Sequence, residues 1–133
     1  MKLIILTPEN IILEQEVEEV ILPTSEGEIT ILPNHVAMIS TTGLGNVRFK
    51  AENSVDQFVS LDKGFVETDG QVVKIFADVA IHSDQYDETK LLEMISDAEN
   101  LMKNASGDVN IEKLKSQINI FNLHLSSKKR RSI

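Results

Sequence analysis

The spacing of apolar residues changes once along the sequence, near Tyr86, and this change restricts the fold more than any other feature. Before Tyr86, apolar residues occur in short runs bounded by Pro, Gly and polar residues. After it, they recur every three or four positions. Many short strands predict a sandwich or barrel, and apolar stripes at helical spacing predict amphipathic helices. We therefore expect an all-β sandwich over residues 1–84 and an antiparallel α-helical hairpin over residues 85–133.

The predicted strands are short and rich in branched side chains. Pro8 and Pro23 should end the first two, because proline cannot donate a ladder hydrogen bond. Asp69-Gly70 lies between two apolar runs and predicts a β-hairpin with a type I′ turn, in which both central residues have positive φ. The predicted strands are residues 3–7, 17–22, 28–32, 55–61, 65–68 and 72–77.

Two apolar stripes define the predicted helices. Asp87 is placed to cap the first helix, and Ser106-Gly107-Asp108 should separate the two. Neither helix would be stable alone at this length, so the pair needs mutual packing or a partner. The first stripe is Leu91, Met94, Ile95, Ala98, Leu101, Met102 and Ala105, and the second is Ile111, Leu114, Ile118, Phe121 and Leu125.

Charge and composition exclude several classes of function. The net charge is −8, with 14 acidic and 5 basic residues in 1–86. Such an acidic surface disfavours nucleic acid, which requires clustered Lys and Arg. The one basic run, residues 128–131, fits either a solvated tail or a contact with anionic lipid or an acidic partner. The sequence has no Cys and no apolar run long enough to span a membrane. The N-terminal apolar run is too short for a signal peptide, so the chain is expected to work where it is made.

The search for catalytic motifs points to binding. No phosphate-binding glycine motif is present, and the histidines His35, His82 and His124 are too scattered for a metal site. Glu26 and Glu28 flank Gly27 in a predicted turn, which could be an acid–base pair, a recognition loop or a solvated turn. The hydroxyls of Thr24 and Ser25 precede this pair, and we interpret them as turn residues. We interpret His124 as a partly buried packing residue of the second helix.

Four blocks of sequence resemble a known family. Leu6-Thr7-Pro8-Glu9, the segment EVEEVILPTSEGEITILPNHVAM at residues 16–38, and the pair Gly64-Phe65-Val66-Glu67 and Ala77-Asp78-Val79-Ala80 match it in order and spacing. In these blocks the chain resembles the ε subunits of bacterial and chloroplast F-type ATP synthases. The resemblance covers residues 1–82, and beyond them it depends on the pattern of two helices.

The resemblance implies a sandwich of about ten strands followed by two antiparallel helices. It also implies a non-catalytic central-stalk subunit that joins the γ subunit to the membrane ring of c subunits and turns with the rotor. The helices of the family fold onto the sandwich or extend toward the catalytic α/β head, where they hinder ATP hydrolysis. The implied location is peripheral, on the cytoplasmic face of the bacterial plasma membrane or, alternatively, on the stromal face of the plastid thylakoid.

The resemblance also suggests roles for individual residues. Glu26, Gly27 and Glu28 match the acidic loop that meets the c ring. His35 and Met38 lie in the segment that faces γ, where Asn34 replaces the Gly of the family. Asn tolerates positive φ better than most residues, so we expect the turn to be kept.

The C-terminal part departs from the family pattern. Many members carry an ATP-binding motif in which this chain matches only Asp87, with Lys90 at an Arg position. Lys cannot reproduce the bidentate fork of Arg, so this departure argues against nucleotide binding, and we expect no cofactor. Inhibition of hydrolysis could instead use basic residues against acidic surfaces of the head: Lys113, Lys115, Lys128, Lys129, Arg130 and Arg131.

Two other functions stay open from the sequence. The chain could be a free-standing β-sandwich adaptor whose helices dock on another partner. It could also be an enzyme that uses Glu26, Glu28 and His35, which would require a concave pocket at that turn with shifted pKa values.

Overall fold

Ten strands and two helices make up the computed structural model, which describes residues 1–51, 57–104 and 111–131. The strands are β1 (Lys2–Leu6), β2 (Ile11–Glu16), β3 (Glu19–Thr24), β4 (Gly27–Ile31), β5 (Met38–Thr42), β6 (Gly45–Lys50), β7 (Gln57–Leu61), β8 (Gly64–Thr68), β9 (Val72–Ala77) and β10 (Ala80–His82). The helices are α1 (Glu88–Lys103) and α2 (Ile111–Arg131).

The strands form one curved sheet in the order β10-β7-β6-β3-β5-β8-β9-β1-β2, with β4 paired to β3. Only the β1–β9 pair is parallel among the described strands. Strands β2 and β10, at the two ends of this order, contact each other. The sheet therefore curls into a sandwich that is almost a closed barrel, which confirms the predicted fold class. Its core includes the fully buried Leu3, Ile5, Val20, Leu22, Ile31, Val47, Val59, Leu61, Val66, Val73 and Ile75.

Pro23 does not end a strand, contrary to the sequence prediction. It lies inside β3, opposite Glu28 of β4, and its carbonyl accepts a hydrogen bond from Gly43 N at 3.3 Å. The missing N–H is tolerated because β3 pairs with β5 only at Thr24. The apolar runs also failed to predict β2, β5, β6 and β10 as separate strands. Residues 55 and 56, which we assigned to the strand before Leu61, lie outside the described residues.

The Asp69-Gly70 hairpin is confirmed, but its predicted turn type is wrong. Strands β8 and β9 pair as expected, yet only Gly70 of the turn has positive φ, at 95°. The Asp69 carboxylate accepts hydrogen bonds from the backbone N of Gln71 at 2.9 Å and of Val72 at 3.0 Å. These bonds lower the pKa of Asp69 and close a wider turn.

The two helices pack together and against the sheet. Asp87 caps α1 as predicted, since its side chain accepts a hydrogen bond from Lys90 N at 2.7 Å. Leu101 and Ile111 of the predicted stripes are exposed, and Ala105 and the predicted break at residues 106–108 lie outside the described residues. No described helix is both long and apolar enough to cross a membrane. A second core joins β10 to both helices through Ile81, Leu91, Ile95, Ile120, Phe121 and Leu125.

Candidate functional site

The two groups of predicted contact residues in the sandwich, around Glu26 and around His35, lie at opposite ends of it. Glu26 occupies the turn between β3 and β4, whereas His35 occupies the loop that follows the far end of β4. A strand of the length of β4 spans roughly 13 Å. The structure therefore separates His35 from the turn of Glu26 and Glu28, which is exposed, and this arrangement argues against the enzyme hypothesis.

The acidic turn is shaped by the two hydroxyl residues that precede it. Thr24 Oγ1 donates a hydrogen bond to Gly27 O at 2.6 Å and accepts one from Glu26 N at 3.2 Å. Ser25 Oγ accepts a hydrogen bond from Thr41 Oγ1 at 3.2 Å. Gly27 has a φ of 118°, which a side chain rarely permits. Thr24 and Ser25 are thus turn residues that present Glu26 to solvent.

Glu28 has a partner that the sequence did not predict. Its Oε1 lies 2.7 Å from the guanidinium Nη2 of Arg48, and both side chains are exposed. Arg48 belongs to β6, and β3 lies between β6 and β4. Beside this turn lies the β5–β6 turn with the exposed side chain of Leu44, because Gly43 N is bonded to Pro23 O. The acidic turn therefore offers the exposed carboxylate of Glu26 next to the Glu28–Arg48 ion pair and the apolar side chain of Leu44.

The His35 loop is fastened to the β8–β9 turn. Asn34 has a φ of 68°, in agreement with the expected tolerance of Asn for positive φ. Asn34 N donates to Gly70 O at 2.9 Å, and Asn34 Oδ1 accepts from Gln71 Nε2 at 2.9 Å. His35 N donates to Leu32 O at 3.1 Å, and its ring Nδ1 lies 2.7 Å from Val36 O. Hydrogen bonds within the loop and to the β8–β9 turn therefore hold this loop in place.

An apolar surface surrounds this loop. Val36 and Ile39 are each 76% exposed and Leu32 is 52% exposed, whereas Met38 is only half-buried. An open groove of about 650 Å³ lies beside Met38 and Ile39 and is also lined by Lys74. Exposed apolar patches of this kind mark protein contacts. The sequence prediction named His35 and Met38 and missed the more exposed Leu32, Val36 and Ile39.

The predicted functional residues of the hairpin lie at the start of α1 and along α2. Asp87 and Lys90 lie in the first turn of α1, where the Asp87 carboxylate is occupied by capping. Lys128 Nζ donates a hydrogen bond to Ser83 O at 2.7 Å, so this charge helps to attach α2 to the sandwich. Lys113, Lys115 and Lys129 are exposed, and the side chains of Arg130 and Arg131 lie outside the described part of the chain.

A buried polar network joins α2 to the sheet. His124 is fully buried, and its Nδ1 lies 2.6 Å from Ser60 Oγ on β7. Ser60 Oγ donates to Asn46 Oδ1 at 2.7 Å, and Asn46 Nδ2 donates to Ser127 Oγ at 2.6 Å. Burial, with Lys128 and His82 nearby, lowers the pKa of His124 to about 4. We interpreted His124 as a packing residue, and its hydrogen-bond partners were missed altogether.

Metal binding has no support in the described residues. Across 1–51, 57–104 and 111–131, no group of three or more His, Asp or Glu side chains could hold a metal ion.

Comparisons with known proteins agree on one family. The family described as "ATP synthase, Delta/Epsilon chain, beta-sandwich domain" matches residues 1–83. The chain is 32% identical to an ATP synthase epsilon chain of Dichelobacter nodosus, over 84% of this chain and 78% of the relative. It is 33% identical to an ATP synthase epsilon chain of Campylobacter concisus, over 80% of this chain and 82% of the relative.

Two solved structures have a similar fold. A chain of the Euglena gracilis mitochondrial ATP synthase, in a structure of OSCP/F1/c-ring in rotational state 1, matches with a TM-score of 0.65 at 22% identity, over 94% of this chain and 79% of that chain. A chain of the Tetrahymena thermophila mitochondrial ATP synthase central stalk/c-ring matches with a TM-score of 0.55 at 14% identity, over 96% and 95%. At these identities the likeness concerns the fold alone.

Proposed function

Because the chain belongs to the family of ATP synthase epsilon chains, we propose that it is a non-catalytic central-stalk subunit that couples γ to the c ring in a proton-translocating F-type ATP synthase. The observation that carries this proposal is the separation of two different surfaces on one sandwich. An acidic turn lies at one end, and an apolar patch around His35 lies at the other. A coupling subunit needs two such surfaces, because it must hold two partners at once.

The c ring is the proposed partner of the acidic turn. Glu26, Gly27 and Glu28 are all exposed there. Carboxylates accept strong charge-assisted hydrogen bonds from backbone or side-chain donors, which suits contact with polar loops. The similar chains of Euglena and Tetrahymena belong to structures of ATP synthase assemblies that include the c-ring, which supports this partner.

The γ subunit is the proposed partner of the opposite surface. His35 and Met38 would contact γ together with Val36 and Ile39. Apolar side chains that are exposed in the free chain gain most from burial in a stable interface. The hydrogen bonds of Asn34 keep this loop in one conformation, which reduces the entropy lost on binding.

We propose that residues 85–133 form a separate regulatory domain, which inhibits ATP hydrolysis when it leaves the sandwich, residues 1–84, and reaches the α/β head. Lys113, Lys115, Lys128, Lys129, Arg130 and Arg131 would then face acidic surfaces. The docked hairpin described here is the non-inhibitory state in this proposal, because Lys128 is engaged with Ser83 O. Asp87 is occupied as a helix cap, which supports a hairpin that works without bound nucleotide.

The proposed location is peripheral, on the cytoplasmic face of the bacterial plasma membrane. The bacterial origin of the similar epsilon chains supports it over the stromal face of a thylakoid. The chain would be held at the membrane by the c ring.

Two measurements on the assembled enzyme test this proposal. The tagged chain should co-purify with γ and the c ring, and deletion of residues 87–133 should raise the rate of ATP hydrolysis while ATP synthesis remains coupled. Recovery of the chain with an unrelated partner, from cells whose ATP synthase stays intact without it, would favour the adaptor hypothesis. An unchanged hydrolysis rate after the deletion would contradict the inhibitory role and leave the coupling role standing.

A further inference from the structure

The buried network between α2 and the sheet has one consistent set of donors and acceptors. Ser127 gives its only hydroxyl hydrogen to Leu123 O, at 2.8 Å, so its oxygen must accept from Asn46 Nδ2. Asn46 therefore turns its Oδ1 toward Ser60, which donates its only hydrogen there. His124 Nδ1 must then carry a hydrogen and donate it to Ser60 Oγ. The imidazole is neutral, and its proton is on Nδ1.

The other ring nitrogen of His124 faces a site that does not accommodate a charge. Nε2 is buried and has no hydrogen-bond partner among the described residues. A proton on Nε2 would create a buried cation with no acceptor for that proton, which is strongly unfavourable. Undocking of α2 would expose the ring to water and remove this cost. Proton uptake and undocking are therefore linked.

The surroundings of His124 strengthen this link. Lys128 lies one turn further along the same helix, and His82 lies on β10, so both facing titratable groups are basic. Strand β7 presents the neutral Phe58, whose ring centre is 5.3 Å from that of His124, and Ser60. Helix α1 meets α2 through apolar side chains such as Leu91 and Ile95. Protonated His124 would be repelled by the ammonium group of Lys128.

We propose that His124, Ser60, Asn46 and Ser127 form a proton-sensitive lock, which holds the helical hairpin on the sandwich and opens when His124 takes up a proton. Asn46 and Ser60 are cross-strand partners, and His124 and Ser127 lie about one helical turn apart. The pair on the sheet can bond the pair on α2 at only one position of the helix along the strands. The lock can be measured on the isolated full chain, whereas its consequence for ATP hydrolysis rests on the proposed role of the hairpin.

The direction of the pH dependence follows from the two pKa values of His124. The pKa is about 4 in the docked chain and returns to about 6.5 when the ring is in water. Docking is therefore fully favoured above pH 6.5 and weakens as the pH falls toward 4. The docking constant should fall about 10-fold at pH 5.5 and about 70-fold at pH 4.5, relative to pH 7.5.

Hydrogen exchange of α2 backbone amides, corrected for intrinsic rates, measures this equilibrium even when the undocked state is rare. We expect protection in α2 to fall by these factors between pH 7.5 and 4.5, while amides of the sandwich core keep theirs. The matched variant is His124→Phe, which keeps a ring of similar size and leaves Ser60 bonded to Asn46. Its α2 protection should stay nearly constant over the same range. Equal loss of protection in both proteins would overturn the proposal.

A second measurement covers the case in which His124→Phe does not dock. The pKa of His124 in the native chain can be read from the pH dependence of its ring resonances by NMR. A value well below 6.5 supports the lock, and a value of 6.5 or higher in the docked chain would overturn it.

Discussion

Arg48 and Glu28 form an ion pair across the strand that separates them, with Nη2 and Oε1 2.7 Å apart. The pair leaves the acidic turn with two unlike carboxylates. Glu28 already accepts a hydrogen bond from a cation, whereas Glu26 projects at the tip of the turn. The two glutamates that the sequence presents as equivalent should therefore contribute unequally to any contact with a partner.

Glu26→Gln should weaken binding to the c ring more than Glu28→Gln. A hydrogen bond to a charged group contributes about 1.5–3 kcal/mol, so loss of the Glu26 charge should raise Kd about 10- to 100-fold. Glu28→Gln should have a smaller effect, because its carboxylate is shared with Arg48. Kd can be measured with the γ-bound chain and purified c ring in detergent.

The matched control for this pair is Glu14→Gln. Glu14 is also an exposed glutamate with a basic partner, Lys2 Nζ at 2.6 Å, but it lies on β2. Glu14→Gln should therefore leave the Kd for the c ring unchanged. An exposed ion pair contributes about 0.2–1 kcal/mol, so Glu28→Gln should barely change the free energy of unfolding. Equal losses of binding in Glu14→Gln and Glu26→Gln would show that overall charge, and not the turn, governs the contact.

Gly27→Ala should destabilise the acidic turn, although the added methyl group meets open space. The cause is the backbone φ of 118°, a conformation that costs of order 1–3 kcal/mol for a residue with a side chain. Gly43→Ala is the control in the neighbouring turn, where the new Cβ would lie 3.9 Å from Thr24 O, an ordinary contact. Urea unfolding should show a loss for Gly27→Ala and a change within about 0.5 kcal/mol for Gly43→Ala. A larger loss of stability in Gly43→Ala than in Gly27→Ala would contradict the conclusion that the φ of Gly27 disfavours a side chain.

Ile39→Ser should weaken binding of γ without destabilising the free chain. Ile39 is 76% exposed, so its removal creates no cavity. Burial of such a side chain contributes about 1.5–3 kcal/mol, which predicts a 10- to 100-fold higher Kd for γ by calorimetry. Ile11→Ser, at a residue 61% exposed on β2, is the control and should keep the native affinity. If Ile39→Ser binds γ with native affinity, the apolar patch is not part of the γ contact.

Local chemistry explains which features the sequence could predict. The Asp87 cap and the exposed turn at Gly27 depend on residues within a few positions of each other, and both are present. The lock joins Asn46 to Ser127, 81 positions away, and Ser60 to His124, 64 positions away. Such contacts depend on the register of β6 against β7 and on the placement of α2, which no periodicity encodes. Only Ser60 carried a weak signal, since it is a polar residue between apolar ones in the predicted strand 55–61, whereas β6 with Asn46 was not predicted.

Ile120→Ala should loosen the docked hairpin and, under the proposed function, increase inhibition of ATP hydrolysis. Ile120 is fully buried in the core shared by α2, α1 and β10, and truncation of such a side chain costs about 2–5 kcal/mol. Limited trypsin digestion should then cleave the hairpin faster, at exposed sites such as Lys113. Leu101→Ala is the control, because Leu101 is 55% exposed on α1. The assembled enzyme should hydrolyse ATP more slowly with Ile120→Ala, in the opposite direction to the deletion of residues 87–133. Faster hydrolysis with Ile120→Ala, despite a loosened hairpin, would mean that the docked state is the inhibitory one.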